Sequence, residues 1–139
     1  MRFVDASVFL YAYLRSEKKI PPNIEILKRN ARNIVERINR GEEVTTSLVH
    51  VSEIANILES RTSLETTGDI ISALLSLANL DVEEPSKALY ESATEVSRSF
   101  SLGINDALAF LLMKKEDITE VYSFDKDFDK LKDLKRVTE

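Results

Sequence analysis

The sequence predicts an α/β protein of three layers, α/β/α, around a central, mainly parallel sheet. Three observations predict it. Short β-branched or apolar segments alternate with longer ones whose apolar residues recur every three or four positions. The short segments run straight into helix-start signals, as strands do when the helix that follows packs back over the sheet. The composition is that of an ordinary globular domain: 43% apolar and 31% charged, with three prolines and three glycines leaving little room for linkers. At 139 residues the chain has the size of one domain, so residues 1–139 are read as a single unit with one substantial core.

The elements follow in order. Arg2-Phe3-Val4-Asp5 reads as a strand ending where a helix begins, with Ser7 as that helix's N-cap. Beyond a charged stretch containing Pro21-Pro22, the residues Leu27, Ala31, Ile34, Val35 and Ile38 mark a helix face, and Gly41 is its C-terminal stop. Glu43-Val44-Thr45-Thr46 is β-branched and short, and Ser47 opens a helix through about residue 60 carrying Val51, Ile54, Ala55 and Leu58. Ile70, Ile71, Leu74, Leu75 and Ala78 form another helix face, Leu80-Asp81-Val82 a brief strand, and Leu89, Ala93, Val96 and Phe100 a helix begun near Pro85-Ser86. Ile104 to Met113 is a strongly apolar helix, and Val121-Tyr122-Ser123-Phe124 a strand leading into Asp125-Lys126-Asp127. Open parallel sheets bind ligands beyond the carboxyl ends of their strands, where Asp5 and Asp125 both fall.

Composition narrows the chemistry. The chain has no cysteine, which removes disulfides, thiolate metal sites and cysteine nucleophiles, and suits the reducing cytoplasm expected as its location. Val8 to Leu14 is an apolar run near the N-terminus, but Asp5 precedes it, Arg15 follows it, and it is too short for a bilayer, so it reads as core and no membrane association is expected. A net charge of −5 argues against holding nucleic acid by bulk electrostatics, while leaving room for a local basic patch.

Most of the 24 acidic residues solvate the surface. Four stand where that reading fails. Asp5 sits between Val4 and the apolar run from Val8; Glu53 lies within a helix beside Val49, Ile54, Ile57 and Leu58; Asp106 precedes Ala107 to Met113; Asp125 ends the last clear strand. Each also has an ordinary reading: Asp5 and Asp106 as acids at helix N-termini, Asp125 as the first residue of a turn, Glu53 at a helix rim. As a set they are harder to explain. Several ionised carboxylates in apolar surroundings repel one another and lose hydration, and a divalent cation resolves the conflict. Oxygen ligands, no cysteine and one histidine favour Mg²⁺ or Mn²⁺ over Zn²⁺.

Four stretches then carry a likeness: Phe3-Val4-Asp5-Ala6-Ser7, Ser47 to Leu58 around Glu53, Gly103-Ile104-Asn105-Asp106-Ala107-Leu108-Ala109, and Ser123-Phe124-Asp125-Lys126-Asp127-Phe128. In this order and spacing they resemble the PIN-domain family, and within it the VapC-type toxin ribonucleases. The resemblance implies a parallel sheet flanked by helices and a metal site on Asp5, Glu53 and Asp106. Its fourth acid falls on Asp125, two residues after Ser123, with Asp127 able to share the place. Ser7 matches the family's site hydroxyl, which is compatible with its capping a helix. The implied activity is metal-dependent hydrolysis of RNA, leaving a 5′-phosphate and a 3′-hydroxyl, with a small antitoxin protein as partner and a homodimer as assembly. The stretch from Arg15 to Asn30 is longer and more charged than the family pattern leads one to expect.

An RNA substrate needs cations around an acidic site. Lys126, Lys130, Arg15, Lys18 and Lys19 are the candidates, against the plainer reading of solvated surface. His50, one turn before Glu53, is left between that cleft and a structural place. Two rival functions remain: a PIN-like module that only binds a protein partner, and a Toprim-like or phosphatase-like hydrolase reading Asp125-Lys126-Asp127 as its signature. For the latter the first strand supplies Asp5-Ala6-Ser7 where a Toprim site has glutamate and a phosphatase Asp-x-Asp.

Overall fold

The computed structural model describes residues 1–15 and 20–139. Along the chain run β1 (Arg2–Val4), α1 (Ala6–Tyr13), α2 (Pro22–Asn39), β2 (Val44–Ser47), α3 (Leu48–Arg61), α4 (Leu64–Leu75), β3 (Leu80–Glu83), α5 (Lys87–Phe100), α6 (Ile104–Lys115), β4 (Glu120–Tyr122), a 3₁₀ turn (Lys126–Lys130) and β5 (Lys135–Val137). The five strands form one sheet in the order β3-β2-β1-β4-β5, and every neighbouring pair is parallel. This is the three-layer α/β/α arrangement expected from the alternation of elements.

Side-chain alternation in the strands divides the core. Phe3 and Val121 point to the layer of α5 and α6, where Ala107, Leu108, Ala109, Leu112 and Met113 are buried. Val4 and Tyr122 point to the opposite layer, where Val8 and Phe9 of α1, Ile34 and Ile38 of α2, and Ile54 and Leu58 of α3 meet them. Every inner strand is thus covered on both faces, as parallel sheets require.

The helices start and stop where their side chains direct. Ser47, Ser63 and Ser86 cap α3, α4 and α5 by accepting from the backbone N–H three residues on. α2 ends at Asn39, with Arg40 as its C-cap and then Gly41 at φ +115, a backbone conformation that suits glycine and ends the helix. The Arg15–Asn30 stretch resolves from Pro22 onward into the first half of α2. Lys18 and Lys19 lie outside the described residues.

Two expectations need correction, and one strand has no counterpart among them. Ser7 is not the cap of α1: the helix begins at Ala6 with Asp5 at the cap position, and the Ser7 hydroxyl donates to the Asp5 carboxylate instead. β4 stops at Tyr122 rather than Phe124, because the Phe124 N–H donates to Ser7 Oγ and is lost to the sheet. Asp125 therefore stands three residues beyond its strand. β5 carries no strand signal in the sequence: Lys135-Arg136-Val137 pairs with β4 at the sheet's edge, where charged residues are common.

The strand order determines where a ligand fits. From β1 the chain proceeds to β2 and β3 on one side, then crosses back to place β4 on the other. Between β1 and β4 the direction of winding reverses, and helices on the two faces diverge there to leave a crevice at the strands' carboxyl ends.

Candidate metal centre

Asp5 follows β1 directly and is buried, with only 5% of its surface exposed. Its Oδ2 accepts from Ser7 Oγ at 2.7 Å and from the buried Ser123 Oγ at 2.8 Å. The same two hydroxyls serve the neighbouring backbone: Ser7 Oγ accepts from Phe124 N at 3.1 Å, and Ser123 Oγ from Asp125 N at 3.0 Å. Two serines from separate segments thereby tie the end of β1 to the loop after β4. They hold Asp5 by one oxygen, and Oδ1 carries none of these bonds.

The remaining acids arrive from three other elements. Glu53 lies in the second turn of α3, half-buried, its Oε2 accepting from Asn105 Nδ2 at 3.1 Å. Asp106 is in the first turn of α6. Asp125 caps the 3₁₀ turn, its Oδ1 accepting from Asp127 N at 2.9 Å. Asp106, Asp125 and Asp127 each place a carboxylate oxygen so that all three lie within 4.8 Å of one another. A cleft of about 500 Å³ opens over this group, lined by Asp5, Ser7, Glu53, Asn105, Asp106 and Asp125, with Leu10, Tyr90 and Ile104 as apolar walls.

The electrostatics record the crowding. Burial, then the charges of Asp5, Asp125 and Glu53 and a hydrogen bond with Asp125, push the Asp106 carboxyl up to about 7. Burial also pushes Glu53 above the usual carboxylate range, joined by the charges of Asp5 and Asp125, while the Asn105 hydrogen bond opposes the rise. Carboxylates that raise one another's affinity for protons are short of cations. An all-oxygen donor set, with three donors near enough to share an ion, fits a hard divalent metal.

Other candidates fall elsewhere. Lys130 is turned to Asp127 Oδ1 at 3.3 Å and donates to the Ser101 carbonyl at 2.9 Å; neither it nor the exposed Lys126 lines the cleft. Arg15 is exposed and lines a second groove of about 390 Å³ with Lys28 and Arg61, which meets the acidic cleft at Ser7 and Leu10. Lys28 in that groove is buried and donates to the Leu14 carbonyl; neither it nor Arg61 carries a signal in the sequence, because both lie in ordinary helical positions. His50 does not open into the cleft. It is fully buried, edge-on to Phe3, with Nδ1 2.6 Å from Ser47 Oγ, and burial pushes its pKa down, which keeps the ring neutral.

Comparison with known families decides the relationship. The family model described as PIN domain matches residues 2–134. The chain belongs to the PIN-domain family. Solved structures with a similar fold include VapC20 of Mycobacterium tuberculosis, a sarcin-ricin loop cleaving toxin, at TM-score 0.72 and 23% identity over 93% of each chain. A toxin-antitoxin complex from Klebsiella pneumoniae gives TM-score 0.65 and 14% identity over 99% of this chain and 97% of that one. VapBC2 from Rickettsia felis, bound to a DNA fragment from its promoter, gives 0.65 and 14% over 98% and 96%. A comparison with curated protein sequences found no match. Among the described residues of this PIN-domain chain, no helix is long and apolar enough to cross a membrane.

Proposed function

We propose that the protein is a Mg²⁺- or Mn²⁺-dependent endoribonuclease, the toxin of a VapBC-type pair acting in the cytoplasm. The observation that carries this reading is the convergence of Asp5, Glu53, Asp106 and Asp125, from four separated segments, on one open cleft at the sheet's switch point. Asp127 joins them through its approach to Asp106 and Asp125. Likeness in fold to VapC20, and to complexes of toxins with antitoxins, supports a small antitoxin as partner. Membership of the PIN-domain family supports nuclease chemistry, and the VapC-type resemblance implies a homodimer as the assembly.

On this reading Asp106, Asp125 and Asp127 hold a divalent ion together with Asp5 and Glu53. Bound there, such an ion supplies an activated water and charge neutralisation for in-line attack on a phosphodiester, leaving a 5′-phosphate and a 3′-hydroxyl. The chain's own residues do the rest. Ser7 and Ser123 keep the Asp5 carboxylate in one orientation, so its free oxygen is presented without a search over rotamers. Burial and the neighbouring carboxylates raise the Asp106 carboxyl to about 7, so a cation held there would compete with its proton. Leu10, Tyr90 and Ile104 offer the substrate apolar surface beside the acids, and Arg15, Lys28 and Arg61 a basic exit along the second groove.

The purified protein is expected to cut single-stranded RNA with Mg²⁺ or Mn²⁺ and to stop on addition of EDTA. Asp5→Asn and Asp106→Asn are each expected to lower kcat by at least about 100-fold while remaining folded, since each removes a charge that the ion requires. Gel assays on a labelled RNA, with circular dichroism of the variants, check this. Variants that cut as fast as the parent would place the chemistry elsewhere.

A further inference from the structure

Glu53 is held by a chain of side chains that no metal ligand explains. Tyr90 on α5 donates its hydroxyl to Asn105 Oδ1 at 2.8 Å, and Asn105 on α6 donates Nδ2 to Glu53 Oε2 on α3 at 3.1 Å. Three helices are thus joined through one amide. All three residues line the acidic cleft.

The order of the bonds matters because an amide has two unlike ends. Only nitrogen can donate to a carboxylate, and turning the group over would set its oxygen against the Glu53 oxygens. The Glu53 carboxylate, which only accepts, selects the orientation that gives it the nitrogen, and the Tyr90 hydroxyl then anchors the amide by donating to its oxygen. The Glu53–Asn105 bond occupies Oε2, while Oε1 carries none of the protein hydrogen bonds described. The glutamate is therefore pinned at one oxygen, as Asp5 is pinned by Ser7 and Ser123 on the other side of the cleft.

We propose that Asn105 is a positioning residue that orients Glu53 for a divalent cation, and that Tyr90 acts through Asn105 by anchoring its amide at the oxygen. The inference rests on the metal-site reading above. It assigns a role to Asn105, which stands beside Asp106 in sequence but bears no charge, and to Tyr90, which the α5–α6 packing brings to the cleft from 15 residues upstream of its partner. Groups that orient metal ligands from outside the coordination shell commonly change metal affinity by about 10–100-fold when removed.

The test is isothermal titration of the metal-free protein with Mn²⁺, with melting temperatures of the metal-free proteins alongside. Asn105→Ala is expected to weaken Mn²⁺ binding about 10-fold or more. Tyr90→Phe, which removes only a hydroxyl, is expected to weaken it less but in the same direction. Because Tyr90 acts through Asn105, adding Tyr90→Phe to Asn105→Ala is expected to cost nothing more. Raising Mn²⁺ to saturation should return the kcat of both single variants toward that of the parent, which a disturbed fold would not allow.

If both single variants bind Mn²⁺ like the parent while Asp106→Asn loses it, the positioning role is overturned and the metal site stands. Fully additive losses in the double variant would overturn the relay from Tyr90. No Mn²⁺ binding by the parent would overturn the metal-site reading itself, and this inference with it.

Discussion

Asp106 feels the crowding of the cluster most. Its carboxyl is pushed from 3.8 to about 7, first by burial and then by Asp5, Asp125 and Glu53, so the folded protein holds a proton that the unfolded chain has already released. The sign follows from linkage. Stability from this proton is complete below pH 3.8 and is lost as pH rises through about 7. Glu53, also raised, acts in the same direction. Thermal melts of the metal-free protein across that range are expected to fall more steeply for the parent than for Asp106→Asn, whose amide does not titrate. Parallel curves would show that the carboxylates do not interact as the geometry implies. Asp5, Glu53 and Asp106 were legible as odd residues because an acid between apolar neighbours has few ordinary uses. Asn105 and Tyr90 were not, because an uncharged amide and a helical tyrosine are unremarkable until the helices that carry them are packed together.

At the scale of elements, each acid depends on a helix or turn whose position is set by apolar burial. α3 carries Glu53 on its rim and drives Ile54 and Leu58, both fully buried, into the layer shared with α1 and α2. Ile54→Ala is expected to lower unfolding stability by about 2–5 kcal/mol, the usual range for an emptied core position, measured by urea denaturation. A loss under about 1 kcal/mol would mean that α3 is anchored some other way. The helices were legible because their apolar residues recur at helical spacing and because Ser47 and Ser86, read as the starts of helices, stand at the starts of α3 and α5. The ends of strands were less so. No pattern in Ser123-Phe124 reveals that Ser7, 116 residues or more away, takes the Phe124 N–H and halts β4. β5 was hidden because an edge strand of three residues, two of them cations and only Val137 apolar, is too short to show alternation.

For the whole molecule the decisive feature is the strand order, which places β1 and β4 side by side and so brings residues 5 and 125 to one crevice. Parallel pairing could be anticipated from alternating elements, but not which strands are neighbours, since that depends on crossovers rather than on local pattern. For the same reason Asp127 could be held only in reserve beside Asp125, whereas folding brings both within reach of Asp106. The basic residues show the same dependence. Lys126 and Lys130 are near the acids in sequence yet do not line the cleft, while Lys28 and Arg61 line the adjoining groove from distant positions. The central claim is that these carboxylates form one cation site, and the most direct test is the melting temperature with and without Mn²⁺. At roughly 100 times its Kd the ion is expected to stabilise the parent by about 2.7 kcal/mol, a rise on the order of 10 °C. Asp106→Asn should melt higher than the parent without metal and gain far less from it. Equal gains for parent and variant would contradict the account.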